Sequence, residues 1–328
     1  MASTINWGIL GPGRIAHKFA ADLEQVPHAR LHAVASRSLD RAQAFAKQYG
    51  AEYAYGSYKE LVDCPDLDVV YVASPHSGHL EHSLLCLESG VAVLCEKPLT
   101  INLRQAKQLV HTARQKDTFL MEAIWTRFLP AFEEAHELVK GGAIGELLSI
   151  KADFGFPAPF RAEGRLFDPR LGGGALLDIG IYPVFLALYF MGRPQLIRAL
   201  ASLGATGVDE EIGVLFDYPD GRMAHLHASI RARTKTEAFL YGTEGTIHLH
   251  TRWHETSHFT LLREDQRPES FSFDMPGKGY YAEAIEVGEC LRSGKKESAR
   301  LPLDFSLELM AALDAIREEA GVRYPVDD

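Results

Sequence analysis

The chain has 328 residues, of which 46% are hydrophobic, so it is long enough for two domains and can bury a full core in each. Acidic residues outnumber basic ones, with 44 Asp and Glu against 34 Lys and Arg, and the formal net charge is −10. This balance argues against nucleic acid as the main partner, because binding to phosphates needs a basic surface.

The first 124 residues alternate between strand and helix patterns. Amphipathic helical patterns lie between the strands, such as the apolar positions Leu103, Ala106, Val110 and Ala113. Repeated strand–helix units with short links predict a doubly wound parallel sheet, and we assign residues 1–124 to this α/β domain. Five continuous apolar runs, typical of strands buried on both faces, occur at 6–10, 31–35, 69–73, 91–95 and 119–123.

The pattern changes after residue 124. The predicted elements are, in chain order, a helix over 128–139, a strand over 147–156, a loop rich in Pro, Arg and Gly, a helix from Ala175, alternating strand segments between 198 and 273, and two helices over 280–292 and 304–319. We therefore predict that residues 125–328 form an α+β domain built on a largely antiparallel open sheet.

A glycine-containing turn follows the first predicted strand. The segment Gly11-Pro12-Gly13-Arg14-Ile15-Ala16 has the pattern G-x-G-x-x-A, and an amphipathic helix begins directly after it. The first glycine permits a tight turn, and the second lets the backbone approach a pyrophosphate at the positive end of the helix. Because the pattern lies between a strand and a helix, it predicts a dinucleotide-binding Rossmann domain rather than a plain tight turn.

The residues after the second predicted strand indicate which dinucleotide binds. NAD enzymes usually place Asp or Glu there to bind the ribose 2′-hydroxyl. This chain has Ser36, Arg37 and Ser38 instead, with Arg41 one helical turn later. A guanidinium binds a 2′-phosphate through two hydrogen bonds, so we predict NADP rather than NAD. The alternative is that both arginines are solvated charges at the start of a helix.

The predicted strand at 91–95 is followed by Glu96, Lys97 and Pro98. Ligands of open α/β sheets bind at the carboxyl ends of the strands, so we expect Lys97 to lie where a nicotinamide and a substrate meet. A lysine there stabilises a developing oxyanion. Pro98 sets the chain direction and allows a cis peptide bond. The alternative is a surface turn.

A second candidate segment runs from Gly172 to Tyr182. It places Asp178 and Tyr182 four residues apart, which predicts one helix face, and the three glycines before them predict a flexible approach to that helix. A carboxylate and a phenol beside a lysine form a plausible proton-handling set. The alternative is a solvated Asp178 and a core Tyr182.

These segments together resemble the Gfo/Idh/MocA oxidoreductase family. The resemblance rests on the phosphate loop, on Ser74-Pro75-His76-Ser77-Gly78-His79, on Glu96-Lys97-Pro98 and on GGGALLDIG at 172–180, and it covers residues 8–183. It implies that the histidines after Ser74 lie beside the cofactor. The expected cofactor-binding residues are Gly11, Gly13, Arg14, Ile15, Ser36, Arg37, Arg41, Ser74, Pro75, His76, His79, Glu96, Lys97 and Arg127.

One residue of the chain departs from the pattern of this family and indicates a subgroup. Many family members have histidine where this chain has Tyr182. Tyrosine there, together with the segment at 121–128, resembles the dimeric dihydrodiol dehydrogenases and the NADP-dependent D-xylose dehydrogenases. The resemblance implies that Lys97 and Tyr182 handle the proton with support from Asp178. It also implies a homodimer formed through the C-terminal sheet. Three aromatic residues are expected to line the substrate pocket, namely Trp125, Phe154 and Trp253.

The expected function is hydride transfer between NADP and a hydroxyl-bearing carbon of a sugar or cyclic diol. Two alternatives stay open: a noncatalytic dinucleotide-dependent sensor or regulator, and a reductase of an oxo-sugar. A metal site at His76, His79 and His82 is disfavoured, because these residues follow a strand-to-helix turn without a cluster of Cys or carboxylate ligands, and we predict no metal.

The sequence also suggests where the protein works. Residues 1–6 are short and polar, without the basic and apolar regions of a signal peptide, and no apolar run approaches the roughly 20 residues that span a bilayer. The four cysteines are widely spaced and form no CxxC pair, which favours reduced thiols. We expect a cytoplasmic protein with no membrane or nucleic-acid partner.

Overall fold

The computed structural model describes residues 3–327, and the packing divides the chain into two compact units. The first unit contains the chain up to Phe128 together with Met275–Leu307. The second contains Leu129–Asp274 together with the chain from Glu308 onward. A single boundary after residue 124 therefore does not describe the packing, because the segment from Met275 returns to the first unit.

The first unit contains a six-stranded parallel sheet with strand order β3-β2-β1-β4-β5-β6, which confirms the predicted doubly wound α/β fold. Its strands are β1 Ile5–Leu10, β2 Ala29–Ala35, β3 Tyr53–Tyr55, β4 Val69–Val72, β5 Ala92–Glu96 and β6 Leu120–Ala123. Its helices up to residue 128 are α1 Arg14–Leu23, α2 Leu39–Tyr49, α3 Tyr58–Val62, α4 His79–Glu88 and α5 Leu103–Gln115. Strand β3 was not among the predicted strands, because its three half-buried residues make no apolar run.

The second unit contains an eight-stranded sheet with order β14-β13-β12-β11-β7-β10-β9-β8. Neighbouring strands pair antiparallel except β7 and β10, which pair parallel, so the predicted largely antiparallel sheet is confirmed. Its strands are β7 Leu147–Gly155, β8 Leu196–Leu203, β9 Asp209–Asp217, β10 Met223–Ser229, β11 Ala238–Gly242, β12 Gly245–Leu249, β13 His258–Arg263 and β14 Glu269–Ser272. Helix α6 spans Pro130–Lys140, and α7 spans Ile181–Met191 directly after a π-helical turn at Leu176–Gly180.

The apolar helix α7 forms the core of the second unit. It packs against β7 and β10, and alternate residues of these strands, such as Ile150 and Leu226, are buried. The segment Pro169–Met191 is long and apolar enough to cross a membrane by length and composition alone, but 89% of its most apolar window is buried inside the protein. Its hydrophobicity is therefore accounted for by its position in the core.

Two helices close the chain, α8 at Tyr280–Arg292 and α9 at Leu303–Ala320. Helix α8 packs against α1, where the buried carboxylate of Asp22 accepts hydrogen bonds from the amides of Lys278 and Tyr280 at 2.8 Å. A carboxylate at a helix N-terminus satisfies amides that lack an intrahelical partner. This contact explains why the segment from Met275 belongs with the first unit.

Strand β6 carries a buried carboxyl that supports the loop after β5. Glu122 is 1% exposed, and its Oε1 accepts a hydrogen bond from the Leu99 amide at 2.7 Å. Burial raises the pKa of Glu122 to about 7, although the hydrogen bond from the Leu99 amide acts in the opposite direction. An acid whose pKa is raised by folding stabilises the native state while it is protonated, and this stabilisation is lost as it ionises.

We expect Glu122→Gln to flatten the pH dependence of stability. In the native protein this carboxyl contributes stability below its ordinary pKa near 4.5, and the contribution is lost as pH rises to about 7. The shift corresponds to roughly 3 kcal/mol in the free energy of unfolding. Urea unfolding between pH 4 and 8 measures the free energy of unfolding as a function of pH, and Glu88→Gln at an exposed position is the matched control. An unchanged slope in Glu122→Gln would contradict this assignment.

Candidate active site

The phosphate loop connects β1 to α1. Gly11 has φ +86°, and a Cβ atom there would lie 3.2 Å from the carbonyl oxygen of Ala73, so a glycine is required on both counts. Gly13 occupies the N-cap of α1, and within residues 3–327 no side chain caps that helix end. Arg14 is exposed and Ile15 is half-buried in the first turn. The first-turn amides of α1 therefore form the kind of site that binds a pyrophosphate.

The end of β2 lies against this loop. Arg41 donates from Nη2 to the carbonyl oxygen of Pro12 at 3.5 Å, so its guanidinium reaches across from α2 to the phosphate loop. Ser36 is buried, and its Oγ accepts a hydrogen bond from the Ser38 amide at 3.3 Å. Arg37 is exposed at the same turn. The structure thus brings both predicted arginines to the edge of the sheet where the phosphate loop lies.

His79, at the start of α4, joins two loops at the carboxyl edge of the sheet. Its ring is fully buried, with Nδ1 2.7 Å from the Pro98 carbonyl oxygen and Nε2 3.0 Å from the Ser74 carbonyl oxygen. Burial lowers the pKa of His79 to about 4, so the neutral ring donates to only one carbonyl at a time. Pro75 is exposed and His76 half-buried. Both nitrogens of the predicted cofactor ligand His79 thus face the protein backbone.

His82, the third histidine after β4, also points inward. Its Nδ1 lies 2.8 Å from Oγ of Ser74, and burial lowers its pKa. Across residues 3–327, no group of three or more His, Cys, Asp or Glu side chains has an arrangement that could hold a metal ion. These histidines therefore organise the loop after β4 through hydrogen bonds.

Lys97 follows β5 directly and is half-buried. The Lys97–Pro98 peptide bond is cis, as the sequence allowed. Glu96 is buried, and its carboxylate accepts hydrogen bonds from the Lys97 amide at 3.2 Å and from the hydroxyl of Tyr71. Glu96, which we expected to bind the cofactor, thus stabilises the backbone from which Lys97 extends.

A further buried acid, Glu283 on α8, lies close to Glu96. Neither of its carboxyl oxygens has a hydrogen-bond partner within residues 3–327. Burial, and then the charge of Glu96, hold the pKa of Glu283 well above its ordinary value, which favours the neutral carboxyl. Glu283 gives no signal in the sequence, because it lies on a helix far along the chain from Glu96 and Lys97.

Trp125 and Arg127 belong to a short 3₁₀ turn after β6. Trp125 is 3% exposed and stacks on Tyr280 with ring centroids 4.5 Å apart. Arg127 is buried, and its Nε donates to the carbonyl oxygen of Arg300 at 2.9 Å. Both side chains are thus held by the segment after Met275, which the sequence alone did not connect with them.

In the second unit, the glycine run before Asp178 is tightly packed. A Cβ atom at Gly173 would lie 2.8 Å from the Leu166 carbonyl oxygen, and Gly174 has φ +119° against the carboxyl of Asp209. Tyr324 donates its hydroxyl to the Gly173 carbonyl at 2.6 Å. The glycines are therefore required because neighbouring groups come too close for a side chain, and the flexibility of this approach stays a prediction.

Asp178 lies in the π-helical turn, and Tyr182 lies in the first turn of α7. The change from π to α geometry replaces the regular α-helical spacing that we assumed between them, and such turns occur frequently at functional sites. Arg165 donates to both carboxylate oxygens of Asp178, from Nη1 at 2.6 Å and from Nη2 at 3.4 Å. The sequence offered no signal for this pair apart from the arginine-rich loop.

Aromatic rings surround Tyr182. The ring of His254 lies 5.2 Å from that of Tyr182 and stacks on Phe154 at 4.1 Å, and Phe154 lies 5.8 Å from Tyr182. Trp253 is fully buried and donates its indole N–H to the Asp153 carbonyl at 3.0 Å. The expected pocket residue Trp253 thus has no exposed surface, and its neighbour His254 contacts the tyrosine instead.

Comparisons with known proteins agree with this architecture. Residues 5–124 match a family profile described as "Oxidoreductase family, NAD-binding Rossmann fold", and residues 132–248 match one described as "GFO/IDH/MocA C-terminal domain". The chain is 39% identical to trans-1,2-dihydrobenzene-1,2-diol dehydrogenase of Xenopus laevis, covering 97% of this chain and 99% of that protein. The human protein of the same name is 37% identical, with coverage of 98% and 99%.

Solved structures show the same fold. A 3-ketoreductase from Actinomadura kijaniata, crystallised with TDP-benzene and NADP, has a TM-score of 0.87 and 28% identity, covering 97% of this chain and 98% of that one. An aldose-aldose oxidoreductase from Caulobacter crescentus has a TM-score of 0.88 at 24% identity, with the same coverage. From both domain matches and the full-length relatives, the chain belongs to the Gfo/Idh/MocA oxidoreductase family.

Proposed function

We propose that this protein catalyses reversible hydride transfer between NADP and a hydroxyl-bearing carbon of a cyclic diol or sugar. The observation that carries the proposal is the placement of Lys97 at the carboxyl end of β5, in the same parallel sheet as the phosphate loop at the end of β1. Full-length relatives named for dehydrogenation of a cyclic diol support this substrate class.

The residues of the first unit fit NADP. The uncapped N-terminus of α1 suits the pyrophosphate. Gly11 allows the tight turn before the helix, and Gly13 allows the close backbone approach that the pyrophosphate needs. Arg37 and Arg41 suit the 2′-phosphate, since both lie at the turn after β2 where an NAD enzyme would place a carboxylate. The NADP bound to the 3-ketoreductase from Actinomadura kijaniata supports the same choice.

We assign the proton chemistry to Lys97, Asp178 and Tyr182. When bound, the nicotinamide accepts the hydride. In the oxidation direction Tyr182 acts as the phenolate, and its Oη accepts the proton of the substrate hydroxyl to become the phenol. The ammonium of Lys97 stabilises the substrate oxygen as negative charge develops on it. Asp178, four residues before Tyr182, keeps the tyrosine oriented. Phe154 and His254 pack around the Tyr182 ring and restrict its motion.

The first test is NADP reduction at 340 nm with cyclic diols, aldoses and inositols, and NAD in parallel. We expect turnover with NADP on one of these substrate classes. Lys97→Met should abolish turnover and leave NADPH binding within a few-fold, because the ammonium acts on the reacting oxygen. Loss of both together would make Lys97 chiefly a cofactor residue. Tight NADPH binding with no turnover on any substrate would instead favour the sensor.

A second candidate within the same chemistry is reduction of an oxo-sugar. The similarity to the 3-ketoreductase from Actinomadura kijaniata favours it, at 28% identity over nearly the whole chain. The same three residues would then act in reverse, with Tyr182 donating its proton to the carbonyl oxygen. Oxidation of NADPH by oxo-sugars, measured beside the diol assay, separates the two candidates by the ratio of kcat/KM values.

We expect Arg37→Ser to weaken NADPH binding on the order of 10- to 100-fold. Hydrogen bonds between a guanidinium and a charged group are each worth about 1.5–3 kcal/mol. Binding of NADH should change less than threefold, because NADH has no 2′-phosphate. Titration of cofactor fluorescence measures both constants, and Lys47→Ser, an exposed charge in the last turn of α2, is the control. An equal loss for both cofactors would contradict this role.

We also propose a homodimer formed through the open sheet of the second unit. The face opposite the buried core exposes apolar residues on neighbouring strands, and exposed apolar patches mark interfaces. Leu200 is 84% exposed on β8, and Leu215 and Met223 are exposed on β9 and β10. Leu200→Arg should convert a dimer to a monomer in sedimentation velocity, and Leu39→Arg in the first unit should not. An unchanged dimer in Leu200→Arg would exclude this face.

For the cellular location we propose the cytoplasm. All four cysteines are buried free thiols, which suits a reducing compartment. The thiol at Cys64 lies beside Pro65 and those at Cys86 and Cys95 lie near one another without forming a bridge. Fractionation of the source cells, followed by immunodetection of the protein, tests this proposal, and recovery in a secreted or membrane fraction would overturn it.

A further inference from the structure

We propose that Arg165 is a positioning residue of the reaction proposed above, which holds the Asp178 carboxylate ionised and in a single plane. The inference rests on the proposed function for its catalytic consequence. Its structural basis is independent, because the contact between Arg165 and Asp178 lies wholly within the second unit.

The contact is a bidentate ion pair. Nη1 of Arg165 donates to Oδ1 of Asp178 at 2.6 Å, and Nη2 donates to Oδ2 at 3.4 Å. A guanidinium that engages both oxygens fixes the plane of the carboxylate as well as its distance. The Asp178 side chain is 7% exposed and that of Arg165 46% exposed. The arginine therefore approaches a nearly buried carboxylate from the solvent side.

The backbone of Arg165 is itself held in place. Gly164 accepts hydrogen bonds from the amides of Phe167 and Asp168 at 2.9 Å, which closes a tight turn around Arg165. The amide of Gly174 donates to the Leu166 carbonyl at 2.9 Å, which ties this turn to the glycine run before Asp178. Both partners of the ion pair thus begin from fixed backbone positions.

Burial alone would favour the neutral form of Asp178, and a neutral carboxyl donates a hydrogen bond from one oxygen. An ionised carboxylate only accepts hydrogen bonds. Arg165 opposes neutralisation through its charge and its two hydrogen bonds. It therefore ensures that Asp178 acts as an acceptor of fixed direction, four residues before Tyr182.

The same loop contains a matched pair that serves as a control. Arg170 donates to Asp168 from Nε at 3.0 Å and from Nη2 at 2.8 Å, and the Asp168 side chain is 6% exposed. Asp168 also accepts a hydrogen bond from the Arg170 amide at 2.9 Å, so this pair closes its own turn. The two ion pairs have the same chemistry and similarly buried carboxylates, although Arg170 is more exposed than Arg165, and only one pair includes Asp178.

The experiment compares Arg165→Met, Arg165→Lys, Asp178→Asn, the double variant Arg165→Met/Asp178→Asn, and Arg170→Met. We expect Arg165→Met to lower kcat on the order of 10- to 100-fold, with NADPH binding within twofold. Arg165→Lys should be more active than Arg165→Met, since lysine supplies the positive charge but not the two parallel N–H donors of the guanidinium. Arg170→Met should keep kcat within threefold of the native enzyme.

The double variant separates an action through Asp178 from any other effect. If Arg165 acts through Asp178, adding Arg165→Met to Asp178→Asn changes kcat less than twofold. The acidic limb of the pH–kcat profile should move to higher pH in Arg165→Met, because the carboxylate has lost its cation. Additive losses in the double variant, or an unmoved acidic limb, would overturn the proposal.

A readout that does not need turnover keeps this test separate from that of the proposed function. With ¹³C-labelled aspartate, the Asp178 carboxyl is assigned as the signal absent from Asp178→Asn. Its titration midpoint should rise by one pH unit or more in Arg165→Met, a tenfold change in the proton-binding constant, and stay unchanged in Arg170→Met. An unmoved midpoint would overturn the proposal. A moved midpoint without turnover of the native enzyme would support the positioning role and count against the proposed function alone.

Discussion

The positions of Asp178 and Tyr182 in the second unit depend on the buried carboxyl of Asp209, which packs against Gly174. Its Oδ2 accepts a hydrogen bond from the Leu176 amide at 2.7 Å, at the start of the turn that carries Asp178. Burial raises the pKa of Asp209 to about 7, partly offset by the bonds from backbone amides. A side chain at Gly174 would occupy the place of this carboxyl. The glycine run is therefore a packing requirement, and it sets where the following helix begins.

A corresponding arrangement supports Lys97 in the first unit. Glu96 accepts a hydrogen bond from the Lys97 amide, Glu122 accepts one from the Leu99 amide, and His79 contacts the Pro98 carbonyl. Three buried side chains thus hold the two peptide groups on either side of the Lys97–Pro98 bond. A lysine side chain is flexible, so a fixed backbone limits where its ammonium can move. In both units, buried polar side chains form hydrogen bonds with the backbone next to the reactive residues.

Much of the candidate site could be predicted because its patterns are local. The phosphate loop needs glycines two positions apart between a strand and a helix, and Lys97 needs only to follow a buried strand. Other residues of the candidate site cannot be predicted from such short-range patterns. Arg165 precedes Asp178 by 13 positions inside an irregular loop, and Glu283 lies on a helix that returns to the first unit. No periodicity connects such pairs, because their contact depends on how distant segments pack.

The sequence by itself determined the order of strands and helices, the parallel sheet, the dinucleotide loop and the presence of a lysine, an aspartate and a tyrosine suited to proton transfer. Each of these follows from hydrophobic periodicity or from a short spacing that backbone geometry imposes. Only the tertiary structure decided that Trp253 is buried while His254 contacts Tyr182, and that the glycine run is tightly packed. The physical reason is that burial and close approach depend on neighbours brought together from remote parts of the chain.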